Sequence, residues 1–239
     1  MENKDIKLKI PAHVGLILDG NRRWAQENGV SNIKGHYKGK EAARKAGEWF
    51  LERGVKILSM YVFSLENWNR NQKEIDYLMD LLREMLDEKL EKASREKYKV
   101  LVSGRSNKLP QDILERCREL EEKTKEKEGG TVNFCLDYGG RAEIADAFKE
   151  MIKDGVKKDQ VTEDLIEKYL YNPDLPPLDM VVRTSGEKRI SGFQLWRVAY
   201  AEFLFLDKYW PDFSEADADY IISEYSQRKR RFGGDVNSN

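Results

Sequence analysis

Two cysteines and two histidines among 239 residues leave little room for soft-metal chemistry. Cys117 and Cys135 make no disulfide framework, and each sits in an apolar-periodic stretch. They read as reduced core thiols of a cytoplasmic protein. Histidine is too scarce for a zinc centre. Long apolar runs are missing too. No uncharged stretch exceeds about nine residues, against the ~20 a membrane-spanning helix needs. The alternating charges of residues 1–7 leave no apolar core for a signal peptide. Neither charge is in excess: 42 Lys+Arg stand against 43 Asp+Glu, a formal net charge of −1. That balance argues against a general nucleic-acid binder. With six prolines, the richest stretch (172–177) is only a turn, so one domain spanning 1–239 is expected. Neither a dinucleotide fingerprint nor a P-loop occurs. The nearest string, Gly35-His36-Tyr37-Lys38-Gly39-Lys40-Glu41, has the wrong spacing and lacks the hydroxyl.

What is present is a regular alternation. Short Val/Ile/Leu/Phe-rich runs at 13–19, 57–63, 98–103, 131–136, 180–183 and 203–206 predict strands. Amphipathic stretches between them predict helices over 40–53, 71–97, 111–126, 141–153, 162–170 and 214–230. The expected fold is α/β, a mostly parallel sheet of about six strands flanked by helices. Ligands of such sheets bind beyond the carboxyl ends of the strands.

Three clusters fall at such ends. The first strand runs into Asp19-Gly20-Asn21-Arg22-Arg23-Trp24. Gly20 permits close backbone approach, the following helix start offers amides to phosphate, and the arginines add charge-assisted donors. An Asp helix cap beside solvated arginines is the plainer alternative. The second strand ends in Phe63-Ser64-Leu65-Glu66-Asn67-Trp68-Asn69-Arg70. This is either a loop capping the next helix or a rim that orients a polar head group. The third cluster, Arg183-Thr184-Ser185-Gly186-Glu187-Lys188-Arg189-Ile190-Ser191, is an anion site by composition. Glu202 is a lone carboxylate in an apolar run, where pairing or metal binding is usual. Asp19 and Glu202 together suggest a Mg²⁺–polyphosphate site, since Mg²⁺ takes one or two carboxylates plus phosphates. His13 lies on a strand and reads as structural. His36, in a glycine-flanked loop, could donate to phosphate.

Read together, these strings resemble the cis-prenyltransferases, the undecaprenyl or polyprenyl diphosphate synthases. Residues 13–25 are similar to the family's first signature. Gly35-His36-Tyr37-Lys38-Gly39 and residues 61–70 are similar to the next two. Asp137-Tyr138-Gly139-Gly140-Arg141 is similar to the mid-chain motif. Residues 183–193 with Trp196, Glu202 and Trp210-Pro211-Asp212-Phe213 are similar to the closing one. The resemblance runs in order from about 13 to 234, through Arg230-Arg231-Phe232-Gly233-Gly234.

The resemblance implies condensation of isopentenyl diphosphate onto an allylic diphosphate such as farnesyl diphosphate, with Mg²⁺ and cis double bonds. It implies that Asp19 works with the metal and the departing diphosphate. Gly20, Asn21, Arg22, Arg23, Trp24 and His36 match the allylic-diphosphate site. Phe63, Ser64, Asn67, Trp68 and Arg70 match the loop linking the two substrates, with Asn67 beside the chemistry. Arg183, Arg189 and Ser191 match the isopentenyl-diphosphate site, joined by Arg231 and Gly233 from a partner subunit of a homodimer. Glu202 matches a metal-binding residue. The product would be a lipid-carrier precursor for glycan synthesis, released with a possible peripheral membrane contact. One departure stands out: the family's usual Arg three residues before its Gly-His is Asn32 here, with Lys34 or Lys38 as substitutes. It motivates a short-chain or branched product as an alternative; a non-catalytic partner subunit is another, which the presence of Asp19 opposes. The proton acceptor stays open among Asp19, residues 64–67 and a phosphate oxygen. A hydrophobic product tunnel is expected; Ala42, Ala43, Ala46 and Phe50, with the 71–97 helix, are its candidate walls, Ala46 and Gly47 leaving space, although ordinary core packing is the better reading of any single one.

Overall fold

A computed structural model describes residues 8–230. All six expected strands form: β1 (His13–Ile17), β2 (Ile57–Tyr61), β3 (Lys99–Ser103), β4 (Thr131–Cys135), β5 (Met180–Arg183) and β6 (Glu202–Phe205). They make one parallel sheet in the order β3-β4-β2-β1-β5-β6. Central parallel strands are covered on both faces, which is why β1 and β5 are buried throughout.

The helices are α1 (Asn21–Glu27), α2 (Asn32–Glu52), α3 (Gln72–Lys92), α4 (Gln111–Thr124), α5 (Gly140–Lys153), α6 (Glu163–Glu167) and α7 (Glu215–Gln227). Side chains of period two split the sheet. Leu58 and Met60 face the core that Phe50, Leu82, Leu86, Ile113 and Ile221 close, while Tyr61 faces Tyr138 and Phe193 on the other side. Both cysteines are free and buried, as expected.

One element differs from its sequence reading. The helix expected from residue 40 begins at Asn32, capped by Ser31, which accepts from the Lys34 amide. His36 is therefore helical rather than in a loop. Gly35 and Gly39 are there for contact, not for a turn. A Cβ on Gly35 would lie 2.3 Å from the Asn21 carbonyl oxygen, and one on Gly39 2.1 Å from Asn21 Oδ1. The glycines let α2 press against the start of α1, which brings His36 to the strand ends.

The sheet places the site through its topology. Strand order runs from β1 through β2 and β4 to β3 on one side, and through β5 to β6 on the other. β1 and β5 thus meet where the order reverses, the usual position of a ligand crevice. Asp19 follows β1, and Arg183 ends β5.

Candidate active site

Asp19 and Arg183 meet across that crevice. Arg183 Nη2 donates to Asp19 Oδ2 at 2.7 Å, and its Nη1 donates to Ser191 Oγ at 2.8 Å and to the Arg189 carbonyl at 2.5 Å. Arg23 Nη2 stands 3.3 Å from the other Asp19 oxygen, and its Nη1 donates to Glu187 at 3.1 Å. Thr184 Oγ1 donates to the Asp19 carbonyl at 2.6 Å, fixing the backbone. Partial burial pushes the Asp19 carboxyl up, but the hydrogen bond and charge of Arg183, then Arg23 and the Gly20 amide, outweigh it. The net result lies below the usual carboxylate range, so Asp19 is an anion at neutral pH.

A cleft of about 890 Å³ opens around this pair. Asp19, Asn21, His36, Phe63, Ser64, Asn67, Arg70, Arg183, Arg189 and Ser191 all line it. Leu18, Val62, Leu78, Leu81, Leu82 and Met85 supply an apolar wall. Charged groups and hydrocarbon thus line the same cleft. Beyond it lies a smaller cavity of about 100 Å³. The two share Lys40, Ala43 and Met85 in their walls. Gly47, Met60, Val132 and Phe134 line the smaller one, together with charged side chains that include Glu48, Glu88, Glu96 and the buried Lys89. Of the expected tunnel wall, Ala43 and Gly47 lie at these cavities, whereas Ala42, Ala46 and Phe50 are packed in the core.

Local structure explains the rest. Gly20 takes a left-handed φ of 109° between β1 and α1, turning the chain just after Asp19. Ser64 and Asn67 bracket the short turn Leu65–Asn69, where Asn67 Oδ1 accepts from the Ser64 amide at 2.9 Å. That leaves the Asn67 NH₂ as the group with chemistry to offer. Arg70 donates to Glu74 at 3.0 Å, near Arg22 at 3.6 Å from the same carboxylate. Burial, then the charges of Arg70 and Arg22, lower His36 to about 4, so its imidazole is neutral at neutral pH.

This gives a first prediction. A bound diphosphate offsets the two arginines and raises the His36 pKa by about one unit or more. Protein NMR of the two histidines measures it directly. Binding then takes up a proton between about pH 4 and the raised value, and tightens as pH falls through that window. His13 also sits near 4, but its nitrogens meet the Pro176 carbonyl and Ser59 Oγ, away from the cleft, so it stays still. An unmoved His36 in a diphosphate-saturated sample contradicts the assignment.

Other expected residues lie elsewhere. Trp24 turns its indole to Asp212 at 2.9 Å and carries Lys38 over its ring, so neither faces the cleft. Asn32 and Lys34 are exposed on the first turn of α2. Trp68 packs behind the linking loop. Its Nε1 donates to Asp137 at 2.6 Å. Glu202 lies apart from Asp19 within the chain. It pairs with Met180 and through it with Val14, five positions before Asp19. At ~3.3 Å per residue, that is about 16 Å along the strands, at the opposite end of the sheet. Glu202 instead accepts from Arg228 at 2.8 Å. The two carboxylates therefore form no shared metal site within one chain. The lone-carboxylate argument missed that Glu202 starts its strand, whereas Asp19 follows the end of its own. Arg231 and Gly233 lie outside the described residues.

Sequence reasoning also missed Gly139, Gly140 and Arg141 as cleft wall. It missed Glu187 as the carboxylate between Arg23 and Arg189. The position of Glu187 inside the third cluster was the available signal.

Comparison with known proteins agrees with this geometry. The family model for undecaprenyl diphosphate synthase matches residues 17–233. The chain belongs to that family. It is 45% identical over 232 residues to an isoprenyl transferase of Thermotoga maritima, covering 96% of this chain and 100% of that protein. It is 40% identical over 230 residues to the ditrans,polycis-undecaprenyl-diphosphate synthase ((2E,6E)-farnesyl-diphosphate specific) of Micrococcus luteus, covering 95% and 92%. Among solved structures, it superposes at a TM-score of 0.89 and 29% identity on lavandulyl diphosphate synthase from Lavandula x intermedia in complex with dimethylallyl diphosphate, covering 94% and 98%. A probable undecaprenyl diphosphate synthase from Campylobacter jejuni gives 0.80 and 30%, covering 95% and 100%. This cis-prenyltransferase is thus an enzyme that transfers prenyl groups. No helix among the described residues is long and apolar enough to cross a membrane.

Proposed function

We propose that this prenyltransferase condenses isopentenyl diphosphate onto an allylic diphosphate such as farnesyl diphosphate, giving a cis-polyprenyl diphosphate that serves as a lipid-carrier precursor for glycan synthesis. The observation that carries the reading is the Asp19–Arg183 pair in a cleft that apolar side chains also line. Asn21, His36 and Arg70 in the cleft lining, with Arg23 beside Asp19, suit the allylic diphosphate. Arg183, Arg189 and Ser191, also in the lining, suit isopentenyl diphosphate. During reaction the allylic C–O bond breaks, the isopentenyl double bond attacks that carbon, and a proton leaves the new chain. The arginines stabilise charge growing on the departing diphosphate. Fixing both substrates removes much of the entropic barrier.

No cluster of three His, Cys, Asp or Glu among the described residues could hold a metal alone. Asp19, a partly exposed carboxylate anion at the cleft, fits Mg²⁺ arriving with diphosphate oxygens. A bound Mg²⁺ supplies further neutralisation of the leaving group. Glu202 could join it only from a second subunit, consistent with a proposed homodimer that would also bring in Arg231 and Gly233. The allylic tail occupies the apolar wall, and the two abutting cavities together serve as the product tunnel.

The tunnel reading makes a specific prediction. A Cβ on Gly47 would meet Met60 and Val132 at 3.9 Å, an ordinary contact. Gly47→Leu therefore fills the smaller cavity and shortens the product by one or more isoprene units, read by chromatography of dephosphorylated products. An unchanged length distribution rules out this end of the tunnel.

Incubating purified protein with labelled isopentenyl diphosphate, Mg²⁺ and dimethylallyl, geranyl or farnesyl diphosphate tests the function. Long products from farnesyl diphosphate support it. No incorporation from any primer overturns it. A single short or branched product with dimethylallyl diphosphate favours the alternative that the similarity to lavandulyl diphosphate synthase raises.

A further inference from the structure

The segment 137–140 has no substrate role above, yet it joins the two sides of the cleft. Beyond β4 the chain enters a left-handed residue, Asp137, at φ 47°, a conformation Asp and Asn tolerate better than most. This turns the buried Asp137 side chain onto the linking loop, where Oδ1 accepts from Trp68 Nε1 at 2.6 Å. Trp68 in turn packs edge-on against Phe63, ring centroids 5.0 Å apart. The backbone adds two bonds. Tyr138 N donates to the Phe63 carbonyl at 3.2 Å, and Leu65 N donates to the Tyr138 carbonyl at 2.9 Å.

Two residues on, the same segment grips the opposite loop. Gly140 N donates to the Gly192 carbonyl at 2.8 Å. A Cβ on Gly140 would lie 2.5 Å from that oxygen and 2.9 Å from Leu195 N, both backbone atoms that cannot swing aside. The gripped loop holds unusual backbone, with Ser191 at φ 49° and Gln194 at φ 38°. Such conformations persist only when the surroundings fix them. Its further anchors are Gln194 Nε2, donating to Ser59 Oγ at 3.1 Å, and Arg183, which holds Ser191 Oγ and the Arg189 carbonyl.

We propose that residues 137–140 act as a clasp setting the distance between the linking loop and the loop carrying Arg189 and Ser191. Asp137 is a positioning residue acting through Trp68, and Gly140 one acting through Gly192. The proposal rests on the function proposed above, since it makes the loop separation a catalytic variable. Reacting carbons must approach to about 3–3.5 Å, and a misplacement of about 1 Å costs on the order of 10²-fold in rate.

The test compares Asp137→Ala, Asp137→Asn and Gly140→Ala by steady-state kinetics and backbone hydrogen exchange. Asp137→Ala is expected to lower kcat by about 10–10²-fold and to speed exchange within 64–70. Its affinity for inorganic diphosphate should stay near wild type. Asp137→Asn keeps a carbonyl acceptor for Trp68 and should restore both readouts. Gly140→Ala should raise KM for isopentenyl diphosphate and speed exchange within 189–195. Unchanged exchange at 64–70 in Asp137→Ala overturns the clasp, as does an Asn variant as impaired as Ala. If Gly140→Ala does not fold, the Asp137 pair decides alone. Exchange needs no turnover, so a wild-type protein inactive with every primer would sink the proposed function while the clasp is still tested.

Discussion

Asp19→Ala is expected to lower kcat/KM by about 10³-fold while the protein still folds. The magnitude is that of removing one preorganised charge-stabilising group. The carboxylate is held as an anion by Arg183 and Arg23, and the proposed reaction puts the departing diphosphate beside it. Folding survives because Asp19 is only partly buried and Arg183 keeps Ser191 and the Arg189 carbonyl as partners. Asp19→Asn separates two explanations. It retains an acceptor for Arg183 but not the charge, so the same loss in the Asn variant assigns the effect to charge. Steady-state assays with circular dichroism check both. Activity within a few-fold of wild type in Asp19→Ala would move the reaction centre elsewhere, whereas activity kept by Asp19→Asn alone would assign the effect to the hydrogen bond with Arg183.

The largest stability effect is expected behind the site, at Glu143 and Arg197. Glu143 Oε1 and Arg197 Nη1 lie 3.1 Å apart, with 1% and 4% of their side chains exposed. Arg197 also donates to the carbonyls of Tyr171, Asn172 and Leu175. Glu143 accepts from the Tyr171 amide and the Tyr138 hydroxyl. Burial raises the Glu143 carboxyl, against the pull of Arg197 and Tyr138. Breaking a buried pair by removing one member costs about 3–5 kcal/mol, because the other charge is left without compensation. Glu143→Ala should therefore lower Tm by roughly 10 °C for a chain of this size. Replacing both, as Glu143→Leu with Arg197→Met, should recover part of the loss. Thermal and urea denaturation measure both variants. A single-variant loss below about 1 kcal/mol, the range of exposed pairs, would mean that the pair is not sealed from water.

Much of this architecture is legible in the sequence, for a definite reason. Buried parallel strands are short, continuous apolar runs, and residues such as Asp19 and Arg183 mark where they stop. Once strand ends were located, the first three motifs and the third cluster had to converge. Two differences have equally definite causes. The Gly35/Gly39 spacing looks like a loop until the neighbouring helix is in place, because glycine at a close approach and glycine at a turn are identical in sequence. Glu202 looks like a partner for Asp19 until strand direction is followed, because composition does not say which end of a strand a residue occupies. The role of Asp137 was invisible for a third reason. Its partner Trp68 is 69 positions away, and nothing local announces the contact.

The most direct test of the account is the geometry of the bond formed. Wild-type protein, farnesyl diphosphate and ¹³C-labelled isopentenyl diphosphate should give, with Mg²⁺, a product whose new double bonds are cis by NMR, and Asp19→Ala should give almost none. Trans double bonds, or equal product from the two proteins, would contradict the account.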